Sequence, residues 1–155
     1  MTGRRLTASH ETILWSHSGS AKSRNYHFNY DASKEFSELS DNLKIAGKQM
    51  RTVWDIPNNK KREELELGKH PTQKPLKLID RLLMISSPKQ GVLLSPFSGS
   101  GTDCLSGLRF GLKVIGFDLE SEFVELSNTR IKKYLEENIS SELINEYFDN
   151  NKYQE

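Results

Sequence analysis

The chain has 155 residues, about one domain's worth, with 35% hydrophobic and 28% charged residues. Its net charge of +1 gives no strongly basic or acidic surface to point to a partner. The single cysteine, Cys104, excludes an internal disulfide and fits a reducing cytoplasm. No Cys/His spacing suggests a metal site, and no apolar run approaches the roughly 20 residues of a membrane helix. Met1-Thr-Gly-Arg-Arg5 lacks the apolar stretch of a secretion signal.

In chain order, residues 10–17 form a β-prone apolar run that predicts one strand. Residues 18–69 are polar and basic, with Tyr26, Phe28 and Tyr30 alternating as in a strand or an extended loop. Thr52–Ile56 is a second strand candidate, stopped by Pro57, and Asn58–Leu67 reads as a charged, mobile stretch. Pro75 suits the first turn of a helix whose apolar face is Leu78, Ile79, Leu82, Leu83 and Ile85. Gly91–Leu94 is fully apolar, as in a buried parallel strand. A glycine loop and a helix over Thr102–Phe110 follow, ended by Gly111. Lys113–Asp118 predicts a second buried strand ending in an acid. Ser121 can cap a last helix with Phe123, Leu126, Ile131, Tyr134 and Leu135 on one side. From Asn138 the chain reads as a variable tail. Strand, glycine turn, helix, strand, acid and helix make a βαβα unit, so the fold class is α/β, a partial Rossmann-like arrangement with a mostly parallel sheet.

Gly99 and Gly101 directly follow a strand and open a helix. Glycine permits a sharp turn and close approach of backbone to ligand, and the helix N-terminus offers free N–H groups. An acid 19 residues past Gly99, closing the next strand, would lie beside that loop and could accept both hydroxyls of a ribose. This points to a nucleoside-containing cofactor. No Gly-Lys-Ser/Thr follows, which excludes a triphosphatase loop. The structural alternative is that the glycines only make a tight turn and Asp118 only caps the next helix.

From residue 70 onward the chain resembles the amino-methyltransferases of DNA restriction–modification systems. The carrying residues are His70-Pro-Thr-Gln-Lys-Pro75, the helix after it, Ser95-Pro-Phe-Ser-Gly-Ser-Gly-Thr102 and Gly116-Phe-Asp-Leu-Glu120. Leu6–Trp15, Phe28–Tyr30 and Gly47–Trp54 also look familial, and the likeness spans about residues 4–136 in the order of the permuted β group. The resemblance implies S-adenosylmethionine as cofactor. It would be held by His70, Pro71, Thr72, Gln73, Lys74 and Pro75, by Ser95, Pro96, Phe97, Ser98, Gly99, Ser100, Gly101 and Thr102, and by Asp118 and Leu119. Lys74 would offer charge to the cofactor carboxylate; its alternative is a solvated helix-start lysine. His70 has a packing or capping alternative.

There are two departures from the family pattern. The family has Asp where this chain has Ser95, and a serine brings no charge to the cofactor's cationic end, so weaker cofactor binding is expected. The family's base pocket, Asp/Asn/Ser-Pro-Pro-aromatic, holds the flipped base. This chain's five prolines (57, 71, 75, 88 and 96) include no adjacent pair. In the permuted order the motif would precede residue 1, so the chain is expected to begin inside the catalytic domain. No catalytic residue is assigned.

The resemblance divides the chain into a trailing strand of the catalytic region (1–20), a target-recognition region (21–69), a cofactor-binding subdomain (70–137) and a tail (138–155). Arg4, Arg5, Lys22, Arg24, Lys48 and Arg51, interleaved with aromatics, are candidate contacts to double-stranded DNA, against an ordinary mixed surface. Lys60, Lys61 and Arg62 read as a solvated loop. The leading expectation is a site-specific DNA methyltransferase, adenine N6 ahead of cytosine N4, in which positioning and electrostatics do most of the chemical work. The alternative is a non-catalytic cofactor- or DNA-binding module, a remnant or half of a split enzyme paired with a separate N-terminal piece. Methylation of RNA or a small molecule is a weaker third reading. The organism class expected is bacterial or phage, and the expected compartment is the cytoplasm, with no membrane.

Overall fold

The computed structural model describes residues 10–19, 26–34, 47–58 and 61–138. Six elements follow in order: α1 (Arg62–Leu65), α2 (Leu76–Ser86), β1 (Val92–Ser95), α3 (Thr102–Arg109), β2 (Lys113–Gly116) and α4 (Ser121–Asn138). β1 and β2 pair in parallel, from Val92 opposite Lys113 to Ser95 opposite Gly116, with α3 as the crossover between them. Both strands therefore end at the same edge, and the glycine loop leaves β1 at that edge.

The helix after the His-Pro-Thr-Gln-Lys-Pro segment forms as expected, with Leu83 and Ile85 buried. Pro75 is its N-cap rather than a first-turn residue. Proline has no side-chain acceptor for the free N–H groups of the first turn. The carboxylate of Glu64 in α1 supplies one, accepting the Leu76 N–H at 3.0 Å. The stretch expected to be mobile thus contains a short helix with a capping role. α1 is held in turn by Lys133, which pairs with Glu66 at 2.6 Å.

The core joins α3 and α4: Cys104, Ile131 and Leu135 are buried, with Leu108, Val114 and Tyr134 packed against them. Each buried aliphatic side chain stabilises the fold by about 1.5–3 kcal/mol. Gly107 lets α3 lie flat on the sheet, because a Cβ there would come within 2.7 Å of Leu93 and 2.8 Å of Val114. Asp80 links α2 to α3, accepting from Ser106 Oγ at 2.6 Å and Arg109 Nη1 at 2.7 Å.

The strands are shorter and less buried than their apolar runs imply. β2 stops at Gly116, and alternate residues Val92, Leu94 and Ile115 are exposed. Successive side chains point to opposite faces. Among the described residues, α3 covers the face bearing Leu93 and Val114 and leaves the other open.

Residues 10–17 and 52–56 are not strands, and Tyr26–Tyr30 is irregular chain leading into a turn. A strand needs a ladder partner, and the backbone bonds here are isolated ones: Asn29 N–H to Ile85 C=O at 2.8 Å and Met50 N–H to Ser33 C=O at 2.9 Å. Side chains add contacts: Trp15 packs on Tyr26 and Phe28 with ring centroids 5.5 Å apart. The guanidinium of the fully buried Arg81 lies 5.1 Å from the Trp54 ring, which ties residues 47–58 to α2. The last helix begins at Ser121 itself, not one residue after it, and runs to Asn138; the rest of the expected tail lies outside the described residues.

Candidate functional site

Ser95 closes β1, and the chain turns through residues 96–101 into α3. Gly99 and Gly101 have φ of 51° and 70°, the left-handed region that glycine enters without steric cost. The loop is knitted to the next crossover. Ser98 N–H donates to the Phe117 carbonyl at 2.7 Å, and Phe117 N–H donates to the Ser95 carbonyl at 2.9 Å. Gly99 N–H donates to Asp118 Oδ2 at 2.7 Å, across 19 residues of sequence. Three loop N–H groups, those of Ser98, Gly99 and Gly101, are thus spent inside the protein rather than left free.

Asp118 lies two residues beyond the end of β2 rather than closing it. Its other oxygen, Oδ1, accepts the Glu120 N–H at 3.1 Å. These two N–H groups, Glu120 first and Gly99 second, with the nearby His70 ring, hold the Asp118 carboxyl below its ordinary range. The residue therefore shapes the entry to α4, as the structural alternative holds, and braces the loop as well. A carboxylate has about four acceptor positions, so two remain for a ligand.

α4 braces the loop from below. A Cβ on Gly101 would sit 3.0 Å from the Ser127 Cα, so no side chain fits. One turn on, Arg130 (6% exposed) donates through Nη1 to the Ser100 carbonyl and to Thr102 Oγ1. Burial lowers its pKa, offset in part by the Glu64 carboxylate. Arg130 and Ser127 belong to no motif of the sequence; their signal is an arginine three residues after a serine on the apolar face of α4.

The first motif divides in the structure. The His70 ring packs against Gly99, where a Cβ would meet it at 3.3 Å, and edge-on to Phe123 at 4.3 Å between centroids. Its Nδ1 accepts the Thr72 N–H at 3.3 Å. Pro71 and Thr72 are exposed, and Pro75 is buried at the start of α2. Gln73 is buried, with Nε2 donating to the Glu64 carbonyl at 3.0 Å, and its Oε1 has no hydrogen-bond partner among the described residues. Lys74 is half-exposed and its ammonium pairs with Glu11 at 2.6 Å, bringing the 10–17 segment to the motif.

In the second motif, Ser98, Ser100 and Thr102 are buried, whereas Pro96, Phe97 (86%) and Leu119 (97%) are exposed. Ser95, 3% exposed, donates its hydroxyl proton to Asp103 Oδ2 at 2.8 Å. Of the candidate DNA contacts, Lys48 and Arg51 are described, and Lys48 and Arg51 are surface residues. Arg4, Arg5, Lys22 and Arg24 lie outside the described residues. No helix among the described residues is long and apolar enough to cross a membrane.

The chain is similar in sequence to known proteins. Type II methyltransferase M2.LlaDCHI of Lactococcus lactis subsp. cremoris is 41% identical over 130 residues, covering 84% of this chain and 45% of that protein. M2.DpnII of Streptococcus pneumoniae is 39% identical over 135 residues, covering 87% of this chain and 47% of its own length. The chain thus spans about half the length of these relatives. Among solved structures, the crystal structure of the M1.HpyAVI–SAM complex aligns with a TM-score of 0.41 at 29% identity, covering 54% of this chain and 46% of that one. Residues 1–129 match the DNA methylase family, and the chain belongs to that family.

Proposed function

We propose that this chain supplies the cofactor-binding part of an S-adenosylmethionine-dependent DNA methyltransferase acting on an exocyclic amine, adenine N6 ahead of cytosine N4. The observation that carries the reading is the bond from Gly99 N–H to Asp118 at the edge where two parallel strands end. Ligands of α/β sheets bind at that edge. The residues fit the cofactor's adenosine: Asp118 keeps acceptor capacity for the ribose hydroxyls, and Phe97 and Leu119 expose apolar surface beside it. When bound, the cofactor supplies an activated methyl group. The protein's part is to hold the loop with Arg130 and Ser127 and to set His70 against Gly99. Lys48 and Arg51 are the described candidates for DNA phosphate contact.

A second reading is a non-catalytic cofactor- or DNA-binding module. Two measurements test these readings, and the second separates them. Equilibrium binding of S-adenosylmethionine to wild type and Asp118→Asn tests the cofactor site, with weaker binding expected in the variant. Methyl transfer from labelled cofactor to double-stranded DNA, with and without a supplied polypeptide carrying the Pro-Pro motif, tests activity. Transfer by the 155 residues alone would defeat the second reading.

A further inference from the structure

Ser95 occupies the last position of β1, at the ligand-binding edge, and is almost wholly buried. A neutral hydroxyl there gives little reason for a charged ligand to choose this site. The structure supplies the charge from another element. Asp103, in the first turn of α3, accepts the Ser95 hydroxyl proton at 2.8 Å. We propose that Asp103, oriented by Ser95, is the carboxylate that receives the cationic methionine end of the cofactor. This inference rests on the cofactor reading above.

Three observations support it. The glycine loop lies between Ser95 and Asp103, and Asp118 is bonded to the middle of that loop. The site therefore has one carboxylate bonded mid-loop and one just past the loop's end, which suits a ligand with a diol at one end and a cation at the other. Three other carboxylates are taken up in ion pairs: Glu11 with Lys74, Asp80 with Arg109 and Glu66 with Lys133. Among the described residues, Lys34, Lys74, Arg109, Lys132 and Lys133 pair with carboxylates other than Asp103. Finally, Ser95 has one hydroxyl proton, and it goes to this carboxylate, so the oxygen's lone pairs stay available to a donor such as an ammonium.

The structural alternative is that Asp103 serves only the helix, since acids are favoured in a first turn. Binding distinguishes the two. The full chain is titrated with S-adenosylmethionine, with S-adenosylhomocysteine and with 5′-methylthioadenosine, a neutral nucleoside lacking the amino-acid end. Asp103→Asn is expected to weaken S-adenosylmethionine about tenfold, the loss of one charge-assisted contact, and to leave methylthioadenosine within about twofold. An equal loss for adenosylhomocysteine assigns the contact to the ammonium; a loss confined to S-adenosylmethionine assigns it to the sulfonium. Ser95→Ala, which keeps the carboxylate and removes its tether, is expected to show a smaller loss of the same kind. Ser95→Asp combined with Asp103→Ser is expected to restore affinity, whereas Ser95→Asp alone places two carboxylates together and gains nothing. Equal weakening of all three ligands by Asp103→Asn, or no change in any, overturns the inference. Methylthioadenosine binding that is lost in Asp118→Asn supports the cofactor site independently. Wild type that binds none of the three ligands overturns both.

Discussion

Residues 61–138 contain all six regular elements among the described residues, whereas residues 10–19, 26–34 and 47–58 contain none. The two regions differ in what their sequence needs. In the later one, each signal is answered within a few tens of residues: β1 finds β2, α3 covers them, and α4 closes on the glycine loop. The earlier segments carry strand-like sequence without a ladder partner among the described residues, and they attach by single contacts. Lys74–Glu11, Arg81–Trp54 and Asn29–Ile85 are such contacts. Apolar alternation therefore states a capacity to pair, and pairing needs a second strand.

The contrast predicts that substitutions at the loop are felt by the whole fold and those upstream are not. The largest effect is expected for Gly101→Ala. A left-handed φ of 70° and the backbone of Ser127 at 3.0 Å both oppose the methyl group. The combined cost is about 2–5 kcal/mol, read as a lower urea midpoint with unchanged slope. Gly107→Ala, crowding Leu93 and Val114, is expected to cost about 1–3 kcal/mol. Glu11→Gln removes an ion pair that is well exposed to water and is expected to cost about 0–1 kcal/mol. A loss at Glu11 matching that at Gly101 would show the two regions to be one cooperative unit.

The loop also has a pH signature. The Asp118 carboxyl is held below its ordinary range by the Glu120 and Gly99 N–H groups. Its contribution is therefore complete above the ordinary aspartate value of about 3.9 and is lost as pH falls through the lower folded value. Acid titration followed at the Gly99 amide resonance is expected to show this low transition, and Asp118→Asn to remove it.

Much of the later region was legible in sequence. The apolar spacing over residues 78–85, the glycines at 99, 101 and 111, and the acid at 118 each reflect a local rule, and each element formed close to its expected bounds. What escaped was side-chain work across elements. Nothing in the spacing of Glu64 announces that it caps α2, and nothing near Ser95 announces Asp103 as its partner. Lys74 was legible as a charge at the site, yet its partner Glu11 lies 63 residues away in sequence. Strand burial was over-read because an apolar run shows which residues can be covered, while the covering layer belongs to other parts of the chain.

Cys104 has a use of its own. It is the chain's single thiol and is 3% exposed, and burial first, then the Asp103 charge, pushes it up to about 11. At pH 8 it is both capped by its neighbours and almost entirely protonated, so a thiol-reactive dye is expected to ignore the folded protein. Dye uptake then becomes a clock. Each label records one excursion in which α3 leaves the sheet, and the labelling rate, compared with and without cofactor, times how firmly a ligand keeps the loop shut.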